Sequence, residues 1–281
     1  MKKITLNAPA KINLTLDILG VTKGFHDIKS LVTSIDLYDI ITAKKRKDGK
    51  ITLVCEGLPV DCAPADNNAF KAAMLFKETF GTLGVDIKIV KRIPVGGGLG
   101  GSSADIAGVL RAMKALYNVD GDLLPLANAL GSDSGYMLGG GYAVIEGRGD
   151  KITKKEIDAK LYYLLITEKT LISARASYKK YDLLGKTYKH CTVAAEKALK
   201  SGDYEKFYSV IKNDLQPAST EILPEIAINQ KLLIKAGAPV ALMTGSGSAV
   251  YGVFNDKKER DKAYKKLKPL LGENLIKAQT E

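Results

Sequence analysis

The sequence predicts an α+β protein of two domains. Three observations carry this. Segments with the two-residue alternation of strands are interleaved with segments of helical periodicity. The chain has 281 residues, long for one core and comfortable for two. The stretch 147–155 is short, charged and glycine-containing, and offers the softest boundary, so domains of 1–152 and 153–281 are expected.

Residues 3–19, ITLNAPAKINLTLDILG, alternate as a strand, a break at Ala8-Pro9 and a second strand. DLYDIITAKKRKDGKITLVCEG reads as a β-hairpin with Asp48-Gly49 as its type I′ turn, the lysines Lys44, Lys45, Lys47 and Lys50 forming a solvated end. In NNAFKAAMLFKETFG, Phe70, Met74, Leu75 and Phe80 recur at helical spacing and Gly81 stops the helix. VDIKIVKRI is a half-buried strand, with Val85, Ile87 and Ile89 alternating against Asp86 and Lys88. SADIAGVLRAMKALY gathers Ile106, Val109, Leu110, Met113 and Leu116 on one helix face, with Ser102 or Ser103 as the cap. DLLPLANALG gives a further helix, KLYYLLITE an apolar strand, and Lys180 to Asp214 a run that is helical throughout. Residues 236–254 carry no charge and approach the length of a membrane span. Pro239 and TGSGS interrupt them, so two short strands around a glycine turn are expected. A charged helix from Asp256 to Leu271 and a strand near Leu275 end the chain.

The formal net charge is +11, from 42 Lys plus Arg against 31 Asp plus Glu, a balance that suits anionic partners as well as plain solubility. The basic residues are dispersed lysines without an arginine-rich arm or interleaved aromatics, which disfavours a nucleic-acid partner. Three cysteines without a C-x-x-C pair argue against a disulfide framework or a zinc site and suit a reducing, cytoplasmic setting. The N-terminus lacks the apolar stretch of a signal peptide, and no membrane association is expected.

The loudest stretch is KRIPVGGGLGGSSADIAG, residues 91–108. Gly96, Gly98 and Gly101 satisfy G-x-G-x-x-G, yet Pro94 separates them from the strand. Asp120 and Asp122, at the distance of a ribose-binding acid, begin a helix instead of ending a strand, against a dinucleotide fingerprint. No lysine precedes Ser102, which excludes a P-loop. What remains is a loop whose backbone N–H groups and helix N-terminus hold an anion without a cationic side chain. A bare strand-to-helix turn is the alternative, and five glycines are entropically expensive for that purpose.

PVGGGLGGSSADIAG resembles the central P-x-x-x-G-L-G-S-S-A motif of the GHMP kinases, the family of galactokinase and of homoserine, mevalonate and phosphomevalonate kinases. APAKINLTLDILG and GFHDIKSLVTSIDLYD narrow the resemblance to members that phosphorylate a cytidine diphosphate-linked polyol in non-mevalonate isoprenoid synthesis. LGSDSGYMLGGGYAVIEGRGD, NDLQPASTEILPEI and GAPVALMTGSGSAVYGVF follow in the family's order. The resemblance implies the GHMP kinase fold: a ribosomal S5 domain 2-like N-terminal domain, a ferredoxin-like C-terminal domain, and an active site between them. It implies ATP as phosphate donor with Mg2+, and a monomer or weak homodimer.

Residue by residue, the resemblance makes Asp133 the base or orienting group and Lys11 its cationic neighbour. A helix cap and a surface lysine are the ordinary alternatives. It makes Pro94, Val95, Gly96, Gly97, Gly98, Leu99, Gly100, Gly101, Ser102, Ser103 and Ala104 the ATP cradle. It places Phe25, His26 and Tyr178 at the cytidine, Asn13 near the substrate alcohol, and Thr244 and Gly245 near the diphosphate or polyol. It assigns no metal ligand. Phe25 departs from the family's tyrosine, and Asp133-Ser134-Gly135 from its Asp-Val-Pro. A homoserine- or mevalonate-type kinase and a non-catalytic nucleotide-binding relative are the rival readings.

Overall fold

The computed structural model of the chain describes residues 2–281. In chain order its elements are β1 (Lys3–Asn13), β2 (Asp17–Thr22), β3 (Phe25–Lys45), β4 (Ile51–Gly57), α1 (Asn68–Phe80), β5 (Val85–Lys91), α2 (Gly101–Tyr117), α3 (Leu124–Leu130) and α4 (Ser134–Met137). Then follow β6 (Ala143–Gly147), β7 (Lys151–Lys154), β8 (Tyr162–Ile166), α5 (Ala174–Leu184), α6 (Thr192–Lys200), α7 (Tyr204–Val210), α8 (Gln216–Ile222) and α9 (Glu225–Ala236). The last elements are β9 (Val240–Met243), β10 (Val250–Phe254), α10 (Lys257–Leu271) and β11 (Leu275–Gln279). They group into two compact units. Met1–Ala10, Leu37–Val95 and Gly100–Gly140 form the first; Lys11–Asp36, Gly96–Leu99 and Gly141–Glu281 form the second.

In the first unit β5 is flanked by β4, parallel to it, and by the end of β3, antiparallel from Ile40↔Val90 to Lys45↔Val85. This overturns the hairpin expected between β3 and β4, because β5 lies between them. The segment around Asp48-Gly49 is hydrogen-bonded to the entry of β5 instead of closing on itself. Gly84 N–H donates to the Asp48 carbonyl at 2.8 Å, Val85 N–H to Lys50 at 3.0 Å, and Arg46 N–H to Gly84 at 2.9 Å. The Arg46 guanidinium forks onto the Asp48 carboxylate at 2.7 and 2.8 Å and reaches Asp86 at 2.5 Å.

The expected helix over 68–80 is present. The Asn67 side chain accepts the Ala69 N–H, and Gly81 ends the helix in the left-handed region. Helix α2 buries the predicted face of Ile106, Val109, Leu110, Met113 and Leu116. Gly108 sits on that face: a Cβ there would lie 2.7 Å from Ile41 Cγ1 and 3.1 Å from Ala8 Cβ, so glycine lets the helix approach the strands closely. Strand β1 runs unbroken through Ala8-Pro9, where the sequence predicts a break. Among the described residues it pairs with β3, and a strand paired on one side tolerates a missing proline N–H.

In the second unit β2 and the start of β3 form a hairpin turned by Lys23 (φ 51°) and Gly24 (φ 78°), the pair of positive φ angles of a type I′ turn. The start of β3 also pairs with β6, which carries β7. A separate antiparallel sheet has the order β11-β8-β10-β9, with α9 and α10 packed on it. Strand, helices, strand, strand, helix, strand in that order is the ferredoxin-like arrangement. Tyr163, Tyr251, Phe254 and Leu165 are fully buried there. The run Lys180–Asp214 is three helical pieces in place of one, because Gly185 (φ 57°) and Gly202 (φ 74°) take left-handed conformations that end α5 and α6. The uncharged stretch 236–254 folds as β9 and β10 around its glycine turn. Among the described residues no helix is long and apolar enough to cross a membrane.

Candidate active site

Two glycine loops meet backbone to backbone in the second unit. Gly98 takes φ 75° and Gly245 φ 57°. A Cβ on Gly98 would collide with the Thr244 carbonyl oxygen, and one on Gly245 would lie 3.1 Å from the Gly98 carbonyl. Both are therefore glycine for two reasons, conformation and space. The Ala249 N–H donates to the Gly97 carbonyl at 3.2 Å. The loop from Thr244 to Ser248 is held by its own carbonyls. Asn213 Nδ2 donates to Met243 and Gly245, both at 2.8 Å, and the Ser177 and Ser219 hydroxyls donate to Ser246, both at 3.1 Å.

Beside these loops, at the end of β1, lie Lys11 and Asn13. Two residues apart on a strand, they share a face. Lys11 is 4% exposed, which removes the surface-lysine alternative. Its ammonium donates to Asn13 Oδ1 at 2.5 Å, and its N–H donates to the Leu99 carbonyl at 3.0 Å. A lysine is not buried without polar partners for its charge. Asn13 donates through Nδ2 to Ser30 Oγ at 2.8 Å and through its N–H to Thr244 Oγ1 at 3.0 Å, and its carbonyl accepts from Tyr251 at 2.7 Å. Thr244 is itself fully buried. Lys11, Asn13, Gly98, Leu99, Thr244 and Gly245 thus form one polar constellation.

The first unit holds the rest of the glycine stretch. Gly100, at φ 74°, is the residue before α2, with no side-chain cap. Ser102 and Ser103 lie inside the first turn, which corrects their expected role as caps. The Ser102 hydroxyl accepts from Asn68 Nδ2 at 3.1 Å. Ser103 and Ser134 converge on Gly131, where a Cβ would sit 3.3 Å from Ser103 Oγ and 2.7 Å from Ser134 Oγ. Glycine at 131 therefore lets α4 approach the start of α2. Asp133 immediately precedes α4, half-buried, and its side chain does not cap the helix. The residues after it, Ser134 to Met137, are helical and all buried, so packing holds the backbone that Asp-Ser-Gly would otherwise loosen. Among the described residues, the Ser134 hydroxyl is buried without a hydrogen-bond partner.

The residues expected at a base are sorted by strand alternation. Phe25 and His26 open β3 and point to opposite faces. The His26 ring stacks on Tyr178 with centroids 4.6 Å apart at 24°, meets Tyr181 edge-on, and its Nε2 is 2.7 Å from Asp182 Oδ1. The Phe25 ring, 50% exposed, lies under the Arg148 guanidinium at 3.6 Å. The structure thus joins His26 with Tyr178 and Phe25 with Arg148.

Sequence reasoning gave no role to Arg148, Asp182, Asn213, Ser177 or Ser219, since nothing in their spacing marks them. It also passed over Asp17, whose fully buried carboxylate accepts the N–H groups of Cys191 (2.9 and 3.1 Å) and Thr192 (2.9 Å) at the start of α6. Burial opposes its ionisation, and the N–H groups of Thr192 and Cys191 outweigh burial, holding the carboxyl below its ordinary value. Burial and the adjacent Asp17 push the Cys191 thiol up to about 12, so that cysteine is inert.

The ferredoxin-like sheet, the glycine loop opening a helix and the buried lysine beside it accord with the GHMP kinases, and the family matches make the chain a small-molecule kinase of that class. Residues 67–147 match the GHMP kinases N terminal domain, and residues 195–271 match the GHMP kinases C terminal domain. The chain is 35% identical to 4-diphosphocytidyl-2-C-methyl-D-erythritol kinase of Caldicellulosiruptor saccharolyticus, over 98% of this chain and 97% of that one. It is also 35% identical to the kinase of the same name from Thermoanaerobacter pseudethanolicus, over 95% and 93%. The chain therefore belongs to the 4-diphosphocytidyl-2-C-methyl-D-erythritol kinase family. A solved structure of 4-(cytidine 5'-diphospho)-2C-methyl-D-erythritol kinase superposes with a TM-score of 0.85 at 27% identity, covering 98% of each chain. Homoserine kinase from Cytophaga hutchinsonii shares the fold at a TM-score of 0.74 and 19% identity.

Proposed function

We propose that this chain transfers the γ-phosphoryl group of ATP to the 2-hydroxyl of 4-diphosphocytidyl-2-C-methyl-D-erythritol, in non-mevalonate isoprenoid precursor synthesis. The single observation that carries the reading is kinship with enzymes of that name along almost the whole chain. The site chemistry agrees with it. Residues 94–104 provide backbone amides, a helix N-terminus and the hydroxyls of Ser102 and Ser103 for the phosphates. Asp133 takes the proton of the 2-hydroxyl as its oxygen bonds to the γ-phosphorus and ADP leaves. Lys11 supplies positive charge to the transferring phosphoryl group. Asn13 orients the alcohol. Phe25, His26 and Tyr178 take the cytidine, and Thr244 and Gly245 the diphosphate or polyol.

The donors of the cradle are amides and hydroxyls, which bind a triphosphate without cancelling its full charge. They fit Mg2+-ATP, with magnesium neutralising the phosphate oxygens and no protein ligand assigned to it. On the same reading, 1–152 is the nucleotide-binding domain and 153–281 the C-terminal domain, which agrees with the family matches at 67–147 and 195–271. A cytoplasmic enzyme that is monomeric or weakly dimeric completes it. The test is ADP release over a panel of alcohols. Turnover of the cytidyl substrate supports the reading; turnover of homoserine or mevalonate alone replaces it.

A further inference from the structure

In the first unit, three charged side chains are buried together between β3, β5 and α2. Lys91 ends β5, Asp39 lies in β3 and Asp105 in α2. They are 5%, 0% and 5% exposed. The Lys91 ammonium donates to Asp39 Oδ2 and, at 2.6 Å, to Asp105 Oδ2. The second oxygen of Asp39 accepts the N–H groups of Arg92 at 2.5 Å and Ile93 at 2.9 Å, the residues just before Pro94. Asp105 lies one turn into the helix that the loop opens. A Cβ on Gly101 would be 3.6 Å from the Lys91 ammonium. One cluster therefore grips both the strand that enters the loop and the helix that leaves it.

We propose that Asp39, Lys91 and Asp105 are positioning residues for ATP, fixing the two ends of the glycine loop without touching the nucleotide. The inference rests on the reading of 94–104 as the phosphate cradle. A loop of five glycines has much conformational freedom to lose, so fixing its ends lowers the cost of ordering it around an anion. Two carboxylates share one ammonium, and among the described residues Asp105 Oδ1 is buried without a hydrogen-bond partner. Burial pushes Asp105 up to about 7, against the Lys91 charge and with the help of Asp39, so that below that pH a proton balances the cluster. Cys55 on β4 is the further titratable group that interacts with these charges.

The experiment uses the full chain, with Asp39→Asn and Asp105→Asn. It measures KM for ATP, KM for the cytidyl substrate, kcat, and hydrogen exchange of 94–104 with and without ATP. Loss of a charged hydrogen bond predicts a rise of about tenfold in the ATP KM of Asp39→Asn. The substrate KM and kcat stay within about twofold, and exchange in 94–104 is faster without nucleotide. Asp105→Asn is isosteric, keeps the Lys91–Asp39 pair and shows the same pattern more weakly; it decides alone if Asp39→Asn does not fold. Folded variants with wild-type ATP KM and wild-type exchange overturn the proposal, as does an equal loss toward both substrates. If ATP fails to protect 94–104 in the wild type, the cradle reading fails first and takes this proposal with it.

Discussion

At the residue scale, two side chains are proposed to carry the chemistry, and neither is conspicuous in the sequence. Asp133 sits in a short polar link between helices, and Lys11 is one of many lysines; only the family resemblance singles them out. In the structure Lys11 is buried and the Asp133 side chain makes no cap bond to α4, which fits neither a surface lysine nor a helix cap. Replacing Asp133 by Asn should lower kcat about 10²–10⁴-fold, the usual worth of a general base. ATP binding, followed by titration calorimetry, should persist; an unchanged kcat would remove Asp133 from the chemistry. The proposed cytidine end was legible only in part. Strand alternation puts Phe25 and His26 on opposite faces, and Arg148, which lies over the Phe25 ring, is far along the chain. Phe25→Ala should raise KM for the cytidyl substrate about tenfold, from the loss of ~1–3 kcal/mol of base stacking. KM for ATP should not change. An equal rise in both would show that Phe25 acts through the fold.

At the element scale, the glycine loop was the most legible feature, since positive φ and close backbone approach leave no other residue type at Gly98. Gly98→Ala should therefore cost more than the ~1–2 kcal/mol of a left-handed alanine, because its Cβ also meets the Thr244 carbonyl. Calorimetric unfolding would read the loss, and a fully stable variant with normal ATP affinity would refute the packing described for the two loops. The hairpin misreading has the opposite origin. Asp48-Gly49 carries a strong local turn signal, but a strand from much later in the chain takes the place beside β3, and local pattern cannot register a nonlocal pairing. The cap of α6 by Asp17 is equally nonlocal. Its carboxyl is held below the ordinary value of 3.8. The ionised group is therefore favoured in the folded state, and its contribution is present above that value and lost as pH falls through the folded one. Acid unfolding should cost the wild type more stability than Asp17→Asn between neutral pH and about pH 3; parallel curves for the two would contradict the capping role.

At the scale of the whole molecule, the class α+β and the C-terminal order of strand, glycine loop, strand, helix, strand were readable from alternation, glycine and charge. The grouping into compact units was not. Residues Lys11–Asp36 and Gly96–Leu99 group with Gly141–Glu281; β1 and β3 each have residues in both groups, and no change of composition marks those divisions. The net charge of +11 suits an enzyme whose two proposed substrates both carry phosphates. The central claim is the pairing of ATP with a cytidine diphosphate-linked alcohol, and kcat/KM across a panel of alcohols tests it most directly. The account predicts turnover of 4-diphosphocytidyl-2-C-methyl-D-erythritol to the 2-phosphate with one ADP per product, abolished in Asp133→Asn. Binding of ATP with no turnover of that alcohol, or turnover confined to homoserine or mevalonate, would contradict it.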